Sequence, residues 1–150
     1  KRSTPHQESR LIKDFELHPT LASDTLLLGD MALSRVLLMN DARFPWLILV
    51  PRRAGLRELH ELSANDAAEL FTEINAVSRA LGSFEPVDKL NVGALGNRVP
   101  QLHVHVIARH AGDPAWPGPV WGFGTSERYH PDMLKVRALH LRELLRLVAH

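Results

Sequence analysis

The stretch Gln101-Leu102-His103-Val104-His105-Val106-Ile107-Ala108-Arg109 alternates side chains that can do chemistry with side chains that belong in a core. In an extended segment alternate residues share a face and advance about 6.6 Å per pair. Gln101, His103, His105, Ile107 and Arg109 therefore point one way, and Leu102, Val104, Val106 and Ala108 the other. Two imidazoles and a guanidinium on one face of a strand suit an anionic substrate, phosphate first. Taken alone, an H-x-H pair has three meanings: two partly buried histidines satisfied within the fold, half of a metal-ligand set, or nucleotidyl chemistry in which one imidazole attacks and the other binds oxygen. His110 and Asp113 follow the strand, but no H-x-x-E or H-E-x-x-H spacing completes a metal set.

The elements that must position this strand are written in the hydrophobic pattern. Apolar runs at Thr25–Leu28, Ser34–Met39 and Trp46–Val50, separated by Gly29-Asp30 and by the turn-rich Asn40–Pro45, predict an antiparallel meander. Trp46–Val50 has no polar alternation, which predicts a central strand covered on both faces and ended by Pro51. From Ser63 the period becomes helical. Ala67, Leu70, Phe71, Ile74, Val77 and Leu81 fall on one stripe, Ser63 is the expected N-cap, Asp66 favours the first turn, and Gly82 is the expected left-handed C-terminal cap. Two more strands are expected at about Lys89–Ala94 and Gln101–Arg109. Ala111–Gly124, with four glycines, three prolines, two tryptophans and Phe123, reads as a long loop of the kind that often carries function. Pro131–Val148 reads as an amphipathic helix, with Leu134, Ala138, Leu141, Leu145 and Val148 inward and Lys135, Arg142 and Arg146 on a solvated basic face. At the other end, Glu8–Phe15 predicts a short helix, and Asp14–Asp24, containing Pro19, predicts irregular chain.

Composition narrows the function classes. The 150 residues, 45% hydrophobic and 23% charged, have ordinary globular composition and are expected to form one compact domain with a real core. Eighteen basic residues against 17 acidic ones leave a formal charge of +1, with no electrostatic footprint for nucleic acid or a membrane surface. The absence of cysteine excludes disulfides, thiolate catalysis and Cys-ligated zinc. With no apolar run near the roughly 20 residues of a membrane span, and a polar Lys1–His6 lead without the apolar core of a signal peptide, a cytoplasmic location is expected.

The histidine strand resembles the signature of the histidine triad (HIT) superfamily, in which histidines alternate with apolar residues as HφHφHφφ. His103 takes the middle position and His105 the last, while Gln101 stands where most members carry the first histidine. The resemblance extends to Asn91-Val92-Gly93, to Gly96-Asn97-Arg98-Val99 in place of a common Gly-Gln-x-Val, and to Val36–Asn40 and Leu47–Arg52, which resemble the family's earlier strands. It covers about residues 24–110. No HPHxQ is present, which sets aside the galactose-1-phosphate uridylyltransferase branch.

The resemblance implies a single α+β domain over residues 1–150 with its core at about 24–110, built as a HIT-like antiparallel sheet of about five strands with a main helix, here followed by an additional C-terminal helix, and usually paired in a homodimer. It also implies nucleotide hydrolysis or transfer. His103 would attack the α-phosphorus to form a nucleotidyl-histidine, and His105 would donate to a non-bridging oxygen. A main-chain carbonyl near position 101 would face the other ring nitrogen of His103. The scheme requires no cofactor, although the substrate may be a magnesium complex. Gln101 replaces a titratable group with an amide that donates and accepts, so its effect is expected on rate or leaving-group preference. Asn40 would bind ribose or begin a turn. Asn91 and Asn97 would hold phosphate or serve as loop residues, and Gly96 would let the backbone approach phosphate or simply turn. Arg109 would bind a distal phosphate or pair with a carboxylate. Arg52 and Arg53 are expected in solvent, His60 without a catalytic role, and Trp116 and Trp121 as loop anchors rather than base-stacking platforms. The expected activity is a hydrolase acting on dinucleoside polyphosphates or nucleoside phosphoramidates. The alternatives are a nucleotidyltransferase or phosphorylase using the same intermediate, a metal enzyme, or a nucleotide-binding regulatory protein without turnover.

Overall fold

A computed structural model describes residues 14–83 and 86–148. Most of the helix expected over Glu8–Phe15 lies outside the described residues, and Asp14 and Phe15 within them are not helical. The chain runs through α1 (Pro19–Asp24), β1 (Thr25–Asp30), β2 (Ser34–Met39), β3 (Trp46–Pro51), a 3-10 turn (Leu59–Glu61), α2 (Ala64–Gly82), β4 (Lys89–Gly93), β5 (Val104–Arg109) and α3 (Pro131–Leu145). The five strands form one sheet in the order β1-β2-β3-β5-β4, every neighbouring pair antiparallel. This is the α+β architecture, with a five-stranded antiparallel sheet, that the HIT resemblance implies.

The sheet separates two cores. On one face Val36, Leu38, Leu47, Leu49, Val104, Val106 and Ala108 pack against Leu70, Val77 and Leu81 of α2 and Ala138 and Leu141 of α3. On the other, Leu37, Trp46, Ile48, Val50 and Ile107 pack against Phe44, Leu21 of α1, and Ala115 and Val120 of the long loop, with Phe15 and Leu17 laid against them. β3 is buried at all six positions, as its unbroken apolar run predicts. Each such Leu, Ile or Val contributes roughly 1.5–3 kcal/mol on leaving water, so the strand that carries the histidines is held from both sides. Among the described residues no helix is long and apolar enough to cross a membrane.

The structure departs from the sequence pattern where a local signal competes with packing. Pro19 starts α1 instead of breaking the chain, because proline suits the first helical position, and the His18 imidazole caps it by accepting from the Thr20 amide. Gly29 and Asp30 belong to β1, which carries an irregularity between Leu27 and Gly29. The turn lies beyond them, tied down by the Arg52 guanidinium, which donates to the carbonyls of Met31, Ala32 and Leu33. Arg53 pairs with Asp66, so neither arginine is simply solvated. Ser63 caps α2 as expected, but Gly82 remains helical and Ser83 closes the helix. Phe71 is 66% exposed although the helical period puts it on the buried stripe; Glu73 is buried in that helix instead, its carboxylate accepting from the Leu33 and Ser34 amides, with burial raising its pKa. In α3, Val148 lies past the helix end and is exposed, while Arg142 donates to the carbonyls of Leu27 and Leu28 rather than facing water.

Candidate active site

β5 begins at Val104, so Gln101–His103 enter the sheet as irregular chain, held by the Leu102 amide on the Leu56 carbonyl. The expected alternation of faces survives this shorter strand. His105 stands opposite Ile48 on β3 and Gly93 on β4, while Ile107 stands opposite Trp46 and Asn91. Directly paired residues share a face, so Trp46, Ile48, Asn91, Gly93, His105 and Ile107 all lie on the side away from α2 and α3.

The two imidazoles are adjacent and differently committed. Their centroids lie 4.9 Å apart, and each residue is only 6% exposed. His103 Nδ1 is 2.6 Å from the Gln101 carbonyl oxygen. A carbonyl only accepts, so Nδ1 carries a proton, and in the neutral ring Nε2 keeps its lone pair. His105 Nδ1 is 3.0 Å from the Trp46 indole nitrogen, which only donates. That nitrogen is therefore the acceptor, and His105 in its neutral form carries its proton on Nε2. Burial, reinforced by the neighbouring His103, lowers the His105 pKa from 6.5 to about 4. Side by side stand a ring offering a lone pair and a ring offering an N–H.

An aromatic wall covers His105. Trp121 packs edge-on against it, with centroids 5.5 Å apart, and against Trp46 at 6.4 Å. Gly93 makes this possible: a Cβ there would meet the Trp121 ring at 3.3 Å, tighter than packed carbons normally sit. Trp121 thus anchors its loop on the core, as expected, while also lining the histidine pair.

Gln101 has a different role from the one its motif position implies. Its main-chain carbonyl orients His103, but its side chain is occupied at both ends: Oε1 accepts from the His18 amide at 2.8 Å, and Nε2 donates to the Glu16 carbonyl at 2.8 Å. The amide fastens the segment before α1 to the edge of the site and is not turned to relay protons. Gln101→Ala is accordingly expected to hold turnover within about tenfold of the parent, because the main-chain carbonyl remains, while the His18 amide exchanges with solvent roughly tenfold faster. Loss of turnover by more than about a thousandfold in a folded variant would assign the side chain to the chemistry.

Arg109 is also reassigned. It is 2% exposed, forms a two-point ion pair with Asp113 at 2.6 and 3.0 Å, and donates to Asn91 Oδ1 at 2.9 Å. Four residues along a strand span roughly 13 Å, which with this burial removes Arg109 from a distal phosphate. Of its two expected roles, the carboxylate pairing is the one found, and Asn91 is spent on the same guanidinium. Asn40 Oδ1 accepts from the Tyr129 amide, holding the segment before α3. Gly96 and Asn97 are exposed in the β4–β5 connection, where Gly96 adopts φ +64, a left-handed turn that glycine enters without strain.

Trp46 enters the site with no signal in its spacing, while Gly93 and Asp113 take roles, seating Trp121 and pairing Arg109, that neither the resemblance nor the metal-set spacing indicates. Trp46 heads a run with no alternation, so its face is undefined until register pairs it with Ile107.

The fold and the histidine pair agree with what the chain resembles. The sequence profile of the HIT domain matches residues 21–112. A histidine triad protein from Sinorhizobium meliloti is 47% identical, covering 88% of this chain and 98% of its own, with a TM-score of 0.85. This chain belongs to the HIT domain family. Two other HIT-family structures are as similar: a histidine triad protein from Bradyrhizobium japonicum, 47% identical over 87% of this chain and 98% of its own at a TM-score of 0.85, and one from Marinobacter aquaeolei, 47% identical over 89% and 98% at 0.86. No curated protein matches the chain.

Proposed function

We propose that this HIT protein is a nucleotide hydrolase that cleaves at the α-phosphate through a nucleotidyl intermediate on His103. The observation that carries this is the opposite commitment of the two Nδ1 atoms. The Nε2 lone pair of His103 attacks the α-phosphorus, the bond to the leaving group breaks, and its electron pair departs with the leaving oxygen. The Nδ1–H stays on the Gln101 carbonyl and so compensates the positive charge that the ring acquires. His105 Nε2–H donates to a non-bridging oxygen, where charge grows in the transition state. Water then attacks phosphorus, the P–N bond returns its electrons to Nε2, a proton passes to solvent, and a nucleoside monophosphate leaves. No step passes through a metal, and in this reading Asn97, exposed beside Gly96, holds a distal phosphate. A cytoplasmic setting, where nucleotides of this kind are made and used, fits a chain without cysteine.

The test is a panel of diadenosine tetraphosphate, diadenosine triphosphate and an adenosine phosphoramidate, each with and without a chelator. Release of AMP from at least one is expected, with chelation acting only through the substrate. Tight binding without release would replace hydrolysis by a regulatory reading, and AMP transfer to an added acceptor in preference to water would make the protein a transferase.

The active unit in this proposal is a homodimer joined at the β4 edge. Among the described residues β4 has a strand neighbour on one side only, and it leaves Val92 half exposed. Val92 pairs with Val106, which places it on the helix-covered face, the same side of the sheet as the exposed Phe71 of α2. Sedimentation is expected to give a dimer for the parent and a monomer for Phe71→Glu; a monomeric parent would contradict it.

A further inference from the structure

We propose that Trp46 is the positioning residue of this site: by donating to His105 Nδ1 it holds His105 as a neutral Nε2–H donor that cannot carry a second proton, and it thereby restricts the enzyme to phosphoanhydrides. The proposal rests on the hydrolase reading above and adds the substrate class to it. An imidazolium has an N–H at both ring positions. The indole N–H already points at Nδ1, and a second hydrogen there would face it at 3.0 Å. Protonating His105 therefore means breaking a buried hydrogen bond and leaving the indole N–H unpaired, at the cost that accompanies any orphaned buried donor.

The other neighbours of His105 do not offset this. β3 presents Ile48, β4 presents Gly93, the long loop presents the Trp121 ring, and the titratable group beside it is His103, whose charge would oppose a second one. The depressed basicity of His105 follows the same direction. A neutral imidazole N–H is a good hydrogen-bond donor but far too weak an acid to surrender its proton.

The leaving group consequently receives no proton from the residues that contact the two rings. His103 uses its lone pair on phosphorus and keeps its Nδ1–H on a carbonyl, and the Gln101 amide is occupied by Glu16 and His18. A polyphosphate leaves as a stable anion and needs no proton. An amine must be protonated before the P–N bond breaks, and positioned general acids contribute about 10²–10⁴ in rate. The parent enzyme is expected to favour diadenosine tetraphosphate over adenosine phosphoramidate by at least about a hundredfold in kcat/KM.

Two measurements test this. Long-range proton–nitrogen correlation of the imidazoles in the parent is expected to show His105 as the neutral Nε2–H tautomer at both pH 7.5 and pH 5.5. Trp46→Phe, or replacement of Trp46 by its benzothienyl isostere, which keeps the bicycle but lacks the N–H, is expected to free Nδ1 and let His105 take up a proton at a higher pH than in the parent, although burial and His103 still hold it below its ordinary value. The same variants should narrow the anhydride-to-phosphoramidate ratio at pH 6 by at least about tenfold. A protonated His105 at pH 5.5 in the parent, or a parent that prefers the phosphoramidate, overturns the assignment. If neither substrate is turned over while the tautomer is as expected, the hydrolase reading falls and takes the substrate preference with it.

Discussion

Turnover of a nucleotide substrate is expected to fall by at least about four orders of magnitude in His103→Ala, with the unfolding midpoint nearly unchanged. The size of the effect follows from the role, since removal of an attacking atom leaves only binding and the hydrogen bonds around the phosphate. His105→Asn keeps an N–H near the same place and is expected to lose about 10²–10³, the usual consequence of weakening one transition-state donor. The order matters more than either value. If His105 variants proved more damaging than His103→Ala, the two roles would have to be exchanged, and the hydrogen bond from His103 Nδ1 to the Gln101 carbonyl would lose its mechanistic meaning.

Asp113→Ala is expected to lower stability by about 3–5 kcal/mol, the usual cost of leaving one member of a buried ion pair uncompensated. Asp113 does more than neutralise Arg109. Its Oδ1 also accepts from the Ala115 and Trp116 amides, so the carboxylate organises the start of the loop that carries Trp121 to His105. The guanidinium hydrogen-bonded to it holds that carboxyl below the usual carboxylate range. The Arg109 guanidinium carbon itself lies 5.7 Å from the ring centroids of both Phe44 and Trp116, and the residue is only 2% exposed, so the lost carboxylate is not readily replaced by solvent. Urea denaturation at neutral pH checks the size. A cost below about 1 kcal/mol would mean that the pair is solvated in the native protein and that Arg109 is available for phosphate after all.

The parts of this fold that could be read from residue types are those in which period and burial agree. Trp46–Pro51 is apolar without alternation because β3 has a core on each side, and Val104, Val106 and Ala108 turn inward toward α2 and α3 because the strand has a true period of two. Phe71 breaks that logic, since an apolar residue on a plausible helical stripe was counted as core, whereas the buried angle of α2 is centred on Leu70, Val77 and Leu81 and admits Glu73 instead. The site is harder to read because its determinants are relations between distant segments. Gln101 meets Glu16 and His18 across more than 80 residues, and Trp46 meets His105 across 59. Arg109 had both its candidate roles visible, and only burial decides between a phosphate and the carboxylate four residues away. The motif thus carries the identities of the two histidines and, through the Gln101 carbonyl two residues away, the orientation of His103, whereas the tautomer of His105 depends on Trp46, a partner that no local spacing reveals.

Mass spectrometry of the protein mixed with diadenosine tetraphosphate and quenched without acid tests the central claim most directly. An adenylyl group is expected on the peptide containing His103, localised to that residue, formed during turnover and absent in His103→Ala. A turning-over enzyme with no adenylylated histidine, together with undiminished activity in His103→Ala, would contradict it.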